Sequence, residues 1–275
     1  MNEKDLQKVN VYRMPTAFGP ALGPRRPPEG VTFDPSVSPR KQCAYVAFRT
    51  DGSLLKKMLP MGFTLRGDPV VIFEFSHMTE IDWLAGRGYN MLSVRIPVRF
   101  SYDSGQKVVE GFFQPVIWEN LTEPIISGRE ELGWNKIYAE LPVPERADGK
   151  VVFRAEWLGF KFLELTLTDI ESSDSGGLAT SPVLHRKYIP ATEQWGESDV
   201  DYITMTPAGG SKARALESFT AKAALSMVAP RWEDMPTQHE IVCRLAALPR
   251  FKYIHAGIYS TVGGKDLSDQ VRFLR

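Results

Sequence analysis

The sequence predicts a mainly β domain of α+β class, closed into a barrel or packed as a sandwich, with a few short helices. Three features predict it. From about residue 41 the dominant apolar period is two, the apolar runs are short, and clusters of Gly, Pro, Asp and Ser separate most of them. A period of two puts alternate side chains on one face of a strand. Many short strands at this spacing are the pattern of a closed or sandwiched sheet.

Residues 1–40 contain Pro15, Pro20, Pro24, Pro27, Pro28, Pro35 and Pro39. Proline fixes φ and has no amide donor, so this stretch reads as an extended arm, either disordered or laid over a partner surface. Residues 41–275 form one domain. Its first expected strand is Tyr45–Phe48. Asp51 then stands where it caps a short helix carrying Leu54, Leu55, Met58 and Leu59, which Pro60 and Gly62 end. Val70–Phe75 is the next strand. In LSVRIPVRF, Leu92, Val94, Ile96, Val98 and Phe100 share one face, while Ser93, Arg95 and Arg99 take the other. That is a half-buried strand in which Pro97 marks an edge or a bulge. Phe112–Trp118, Val151–Phe153, the alternating Leu163, Leu165 and Leu167, Tyr202–Met205 and Ile241–Leu245 are the remaining apolar runs read as strands. The run from Ser211 holds Leu216, Phe219, Ala223 and Val228 at loosely helical spacing and reads equally as a strand from Phe219 onward.

Composition narrows the class of function. With 275 residues, 43% hydrophobic and 24% charged, the chain has ample material for a core. Its 33 basic and 33 acidic residues balance, which argues against a nucleic-acid partner, since such partners need a basic face. No window approaches the run of about 18 apolar residues that a membrane span needs, and the first residues lack an apolar signal core. Cys43 and Cys243 stand alone, as small apolar residues of a reducing compartment do. A cytoplasmic protein is expected, with no membrane partner. Glu74, His77 and Glu80 have metal-binding chemistry, but residues three apart on a strand point to opposite faces, so no metal is expected there. DSGG at Asp174–Gly177 reads as a turn, and PAGGSKAR at Pro207–Arg214 as a loop without Walker spacing.

The segment with most chemical content is SGREELGWNKIYAEL, Ser127–Leu141. Gly128 and Gly133 permit a tight backbone. Lys136 lies between Trp134 and Ile137, which would desolvate it if the segment folds inward. A lysine is nucleophilic only when neutral, and burial disfavours its charged form. By spacing alone the segment reads better as a solvated lysine on an amphipathic turn, with Arg129 and Glu130 in surface ion pairs, since isolated lysines are usually exposed.

The wider pattern resembles the acetoacetate decarboxylase-like superfamily. GREELGWNK is similar to its active-site segment: Gly-Arg-Glu, a few residues, an aromatic, then Pro-Lys-Lys. AYVAFRTDGSLLKKMLPMGFTLRGDPVVIFEF, GYNMLSVRIPV and MPTQHEIV resemble further family segments, so the likeness runs from about Gln42 to near the C-terminus. It implies a closed antiparallel barrel or sandwich, a homo-oligomer, a small keto acid as partner and substrate, and no cofactor. It also implies that Lys136 forms a Schiff base. The activated lysine of acetoacetate decarboxylase is itself a standard instance of this chemistry, so that part of the mechanism is inherited from the family. The same alignment puts Glu74 on an acidic pocket position, as a candidate proton shuttle. Trp134 and Met91 line the substrate, and Arg129 is either a carboxylate anchor or part of a structural ion pair.

The chain departs from the family pattern at three positions. Ile137 replaces the second lysine, Asn135 replaces the proline, and Met91 (or Asn90, with a shift of one) stands where a glutamate precedes the Ile-Pro-Val strand. These changes favour aldolase, dehydratase or hydratase chemistry on a 2-oxo acid over acetoacetate decarboxylation. A non-catalytic barrel that binds a small molecule is the alternative from another class.

Overall fold

Residues 10–174, 181–208, 213–264, 267 and 269–273 are described by a computed structural model. Alternation builds the first half of the sheet: β1 (Arg40–Arg49), β2 (Phe63–Leu65), β3 (Val70–Ile81), β4 (Arg87–Tyr102) and β5 (Lys107–Glu119). Short β6 (Lys136–Tyr138) and β7 (Glu145–Ala147) precede β8 (Lys150–Trp157) and β9 (Phe160–Ser172). Then come β10 (Val183–Pro190), β11 (Ser198–Thr206), β12 (Arg214–Met227), β13 (Lys252–Val262) and β14 (Val271–Phe273). All belong to one sheet of order β14-β11-β10-β5-β4-β3-β1-β13-β12-β9-β8-β7, with β2 beside β4 and β6 beside β5.

Two expectations about this sheet need correction. It is not closed, because β14 and β7 end the strand order without meeting. It is also mixed: β5 runs parallel to both β10 and β6, although most other pairs are antiparallel. The sheet curls strongly instead of closing. Phe75 on β3 meets Phe153 on β8 at 5.2 Å between rings, and Trp118 on β5 meets Phe162 on β9 at 5.3 Å. The apolar face thus wraps around one core, to which Val94, Ile96, Leu165 and Leu167 contribute fully buried side chains.

Pro97 lies inside the sheet. β3 pairs with β4 only as far as Arg95, and β2 takes over at Val98, so the missing donor falls in the gap between them. The register against β5 slips between Val94 and Ile96, which is the bulge two residues earlier. Ile241–Leu245 is helical and not a strand: it lies within α3 (His239–Ala246), whose Val242 and Leu245 enter the core at helical spacing. The ambiguous run after Ser211 is strand β12. Asp51 caps α1 (Gly52–Lys56) by accepting from Ser53 N, and Leu55 is buried beneath it. The DSGG turn and the PAGGSKAR loop fall largely on 175–180 and 209–212, outside the described residues. No helix among the described residues is long and apolar enough to cross a membrane.

The arm packs against the sheet domain over its described part. Arg13 and Arg25 both form ion pairs with the Glu131 carboxylate, and Asp34 N donates to Asp82 Oδ2 at 2.7 Å.

Candidate active site

On an ordinary half-buried strand the face opposite the core meets water. Here it does not. Glu74, Ser76 and Ser93 are all buried, as is Glu119 at the end of β5. A buried charge must be paired, because the interior cannot replace its hydration. The pairs are Glu74 with Arg95, at 2.7 Å, and Glu119 with Lys136, at 2.8 Å.

The local fold explains how Lys136 arrives there. Helix α2 (Thr122–Ser127) takes Pro124 in its first turn, where no amide donor is required. It runs into a π turn, Gly128–Leu132, which Gly133 ends at φ 76°. The chain then enters β6, where Lys136 lies opposite Ile117 of β5. Gly128 is needed because a Cβ there would come within 2.6 Å of the Cδ and Cε of Lys136 and 2.8 Å of its Nζ. Asn135 ties the segment to β5 by donating Nδ2–H to Gln114 O at 2.8 Å. Lys187 donates to Glu130 O, and Gln270 to Leu132 O, which seats the turn on β10 and the segment before β14.

The side chain of Lys136 is 5% exposed and that of Glu119 is 0% exposed. Nζ donates to Pro124 O at 3.0 Å and lies 5.0 Å from the centre of the Trp134 ring. Burial pushes the Lys136 pKa below the usual lysine value; Glu119 opposes the shift and the charge of Arg25 adds to it. Burial likewise pushes Glu119 above the usual carboxylate value, against the pull of Lys136. Nearby Tyr89 is raised well above the normal tyrosine range by burial and then by the charge of Glu119. His185, fully buried and stacked on Trp134 at 5.2 Å, is lowered to about 3, first by burial and then by the charges of Lys136 and Arg95.

Five residues were singled out from sequence. Lys136 and Trp134 lie together, and Met91 packs in a small apolar cluster with Met78 and Ile117, against which Trp134 also rests. Arg129 donates Nη1–H to Lys136 O at 2.8 Å, so its guanidinium holds the backbone of the lysine. The Glu74 carboxylate is taken by Arg95 and by the Tyr259 hydroxyl, which donates at 2.8 Å. His77 faces Asn90 Oδ1 at 2.7 Å and Glu80 pairs with Arg40 at 2.9 Å. Among the described residues no group of three or more His, Cys, Asp or Glu is placed to hold a metal. A cleft of about 920 Å³ at the β7–β8 hairpin, lined by residues such as Arg146, Lys150 and Asp169, contains none of the residues around Lys136.

Glu119, His185, Arg95 and Arg25 were not singled out. Glu119 closes the run FFQPVIWE, where a charge after apolar residues reads as the border with solvent. Its partner across the ladder is Met91. A carboxylate thus stands on the neighbouring strand at the level of Met91.

The curled mixed sheet is the fold of acetoacetate decarboxylase-like enzymes. The family model described as acetoacetate decarboxylase (ADC) matches residues 13–260, and the chain belongs to that family. The match takes in most of the arm. No curated protein matches the sequence. Among solved structures, acetoacetate decarboxylase from Legionella pneumophila is 20% identical, covering 87% of this chain and 90% of that chain, with a TM-score of 0.62. Another acetoacetate decarboxylase structure is 15% identical over 99% of this chain and 98% of that chain, with a TM-score of 0.65. The enduracididine biosynthesis enzyme MppR, complexed with pyruvate, is 16% identical over 88% and 94% of the two chains, with a TM-score of 0.59. At these identities the likeness is one of fold.

Proposed function

We propose that the chain is a Schiff-base-forming lyase of small keto acids, with Lys136 as nucleophile and Glu119 as the group that takes and returns its proton. The observation that carries this reading is the dry contact between the two side chains. Ammonium with carboxylate, and amine with carboxylic acid, hold the same proton in two places. Burial works against the charge-separated form of such a pair, so moving the proton to Glu119 frees the amine without solvent. The amine adds to the ketone carbon of the substrate. The carbinolamine then loses its hydroxyl as water, with the proton from Glu119, and leaves a cationic imine. That imine is an electron sink: a bond β to nitrogen breaks, its electron pair moves toward nitrogen, and an enamine results. Protonation of the enamine and hydrolysis return the free amine.

Aldol cleavage, dehydration and hydration differ from decarboxylation in what leaves or adds at the β bond. Ile137, at the place of the second family lysine, packs on the apolar core. The amine therefore has a proton carrier beside it and no second lysine, which supports proton-transfer chemistry of the enamine. MppR, whose structure contains pyruvate, supports an oxo acid as substrate. Decarboxylation of a β-keto acid is the second reading, favoured by the family to which the chain belongs.

Borohydride reduction in the presence of pyruvate or acetoacetate should leave a mass adduct on Lys136 that Lys136→Ala abolishes. No adduct with a panel of keto acids would end this reading. Carbon dioxide release from acetoacetate would select the second one, and conjugated oxo-acid products the first.

A further inference from the structure

Buried polar atoms without a protein hydrogen bond are not scattered through the described residues. Apart from the Glu119 oxygens, which face Lys136, and Thr50 Oγ1 and Arg250 Nε elsewhere, they are Ser93 Oγ, Arg95 Nε, Trp134 Nε1, both ring nitrogens of His185, and Thr204 Oγ1. Leaving such groups unpaired is costly, so a cluster of them points to a ligand that pairs them.

These atoms belong to one region around the amine. His185 stacks on Trp134, the ring whose centre lies 5.0 Å from Lys136 Nζ. Thr204 faces His185 across the β10–β11 ladder, and its methyl lies against the Gly133 turn. Ser93 lies opposite Ile117, the residue that in turn faces Lys136. Arg95 lies two residues along β4 from Ser93 and is ion-paired with Glu74, the residue that faces Ser93 across the β3–β4 ladder. The chemistry of the set is specific. A neutral imidazole offers one donor and one acceptor, two hydroxyls offer both, and Arg95 and Trp134 add donors. A cation is repelled by Arg95 and Lys136. A bare alkyl chain leaves every donor unmet. A hydroxyl oxygen accepts from donors such as Arg95 or Trp134 and donates to an acceptor such as His185, and a carbonyl oxygen accepts from the donors, so either pairs part of the set.

We propose that Ser93, Arg95, Trp134, His185 and Thr204 form a specificity subsite for an uncharged oxygen function carried on the substrate chain, beyond the ketone that meets Lys136. The substrate class is then an oxo acid with a further hydroxyl or oxo group. The proposal rests on the imine reading of Lys136 and narrows it.

The test compares 2-oxobutanoate with 4-hydroxy-2-oxobutanoate, equal in carbon number and different in one hydroxyl. Half-saturation of borohydride trapping at Lys136 should fall about tenfold or more for the hydroxylated acid, the size of one or two buried hydrogen bonds. His185→Phe and Thr204→Val should bring the ratio near one, while His185→Gln, which keeps a donor and an acceptor, retains part of it. Equal trapping of both acids by the parent protein, or a ratio that survives in the Phe and Val variants, overturns the subsite. If neither acid is trapped, the imine reading fails. The subsite is then judged by quenching of tryptophan fluorescence with the same two acids, where equal affinity rejects it and a tenfold preference that Thr204→Val removes upholds it.

Discussion

Met91 and Glu119 face each other across the β4–β5 ladder, and the Glu119 carboxylate reaches Lys136 Nζ at 2.8 Å. The acid beside Lys136 therefore comes from β5, while its neighbour on β4 is a thioether in an apolar cluster. If Glu119 is the proton carrier, Glu119→Gln removes the group that accepts the proton of the amine. Turnover should fall at least about a hundredfold, the usual contribution of a positioned acid–base group. The pH profile of borohydride trapping gives a second, independent sign. Lys136 is lowered by burial, so its trapping midpoint lies below the usual lysine value; Glu119 raises it against that shift, and the Gln variant should move the midpoint further toward acid. A carboxylate that merely filled space would leave the midpoint where it was.

Gly128 lies under the lysine chain in a helical conformation that alanine adopts freely, with φ at −68°. The three atoms nearest to a Cβ there all belong to the Lys136 side chain. Gly128→Ala should therefore still fold, with a melting temperature several degrees below the parent, because displacing the lysine strands the buried Glu119 carboxylate. The amine, however, must leave its contact with Glu119, and trapping at Lys136 should drop by about two orders of magnitude, as misplacements near 1 Å do. Normal trapping would mean that the pair tolerates a displaced nitrogen, and that the geometry at Lys136 is not what activates it.

The burial of Lys136 was legible only through the family resemblance of its segment, since spacing by itself favours an exposed lysine. The strands were legible by alternation, and the capped α1 by Asp51. Alternation cannot tell whether the polar face of a strand meets water or a second buried layer, and that is why it places Ser93 away from the core without marking it as buried, and gives no sign of Glu119, which follows the apolar run Phe112–Trp118. Their burial arises from β6 and the π turn folding back on β5, a long-range event. His185 is buried by the parallel pairing of β5 with β10, which no local pattern announces. Closure failed as an expectation for a similar reason, because the apolar face of a curled open sheet has the same period as that of a barrel. In α3 the short apolar run read as a strand, because too few residues were counted to separate a period of two from one of 3.6.

Glu131 gathers Arg13 and Arg25 from the arm onto the turn that precedes Lys136, and all three side chains are nearly buried. Glu131→Gln leaves two guanidinium groups without their carboxylate. Breaking a buried pair of this kind costs about 3 kcal/mol, so the arm should detach far more often. Limited proteolysis of residues 10–39 should be at least tenfold faster in the variant, with the melting of the sheet domain little changed. Loss of the nearby Arg25 charge should also raise the Lys136 pKa and shift trapping toward alkali. Unchanged cleavage would show that the arm is held by its other contacts.

Glu74 is the residue for which sequence and geometry suggest different work. Its carboxylate accepts from Arg95 at 2.7 Å and from Tyr259 at 2.8 Å, and its side chain is 0% exposed. Both oxygens are thus occupied, Oε1 by Arg95 and Oε2 by Tyr259, and holding these two side chains in place is a positioning task. Arg95→Met alone strands a buried carboxylate and should cost about 3–5 kcal/mol of folding stability in urea titration. Adding Glu74→Gln keeps an acceptor for Tyr259 while removing the stranded charge, so the double variant should recover most of that loss. A coupling of about 2 kcal/mol or more in the cycle is expected for residues in direct ionic contact. Additive losses would show that the two side chains do not depend on one another, and would leave Glu74 free to serve as the proton carrier its sequence position suggests.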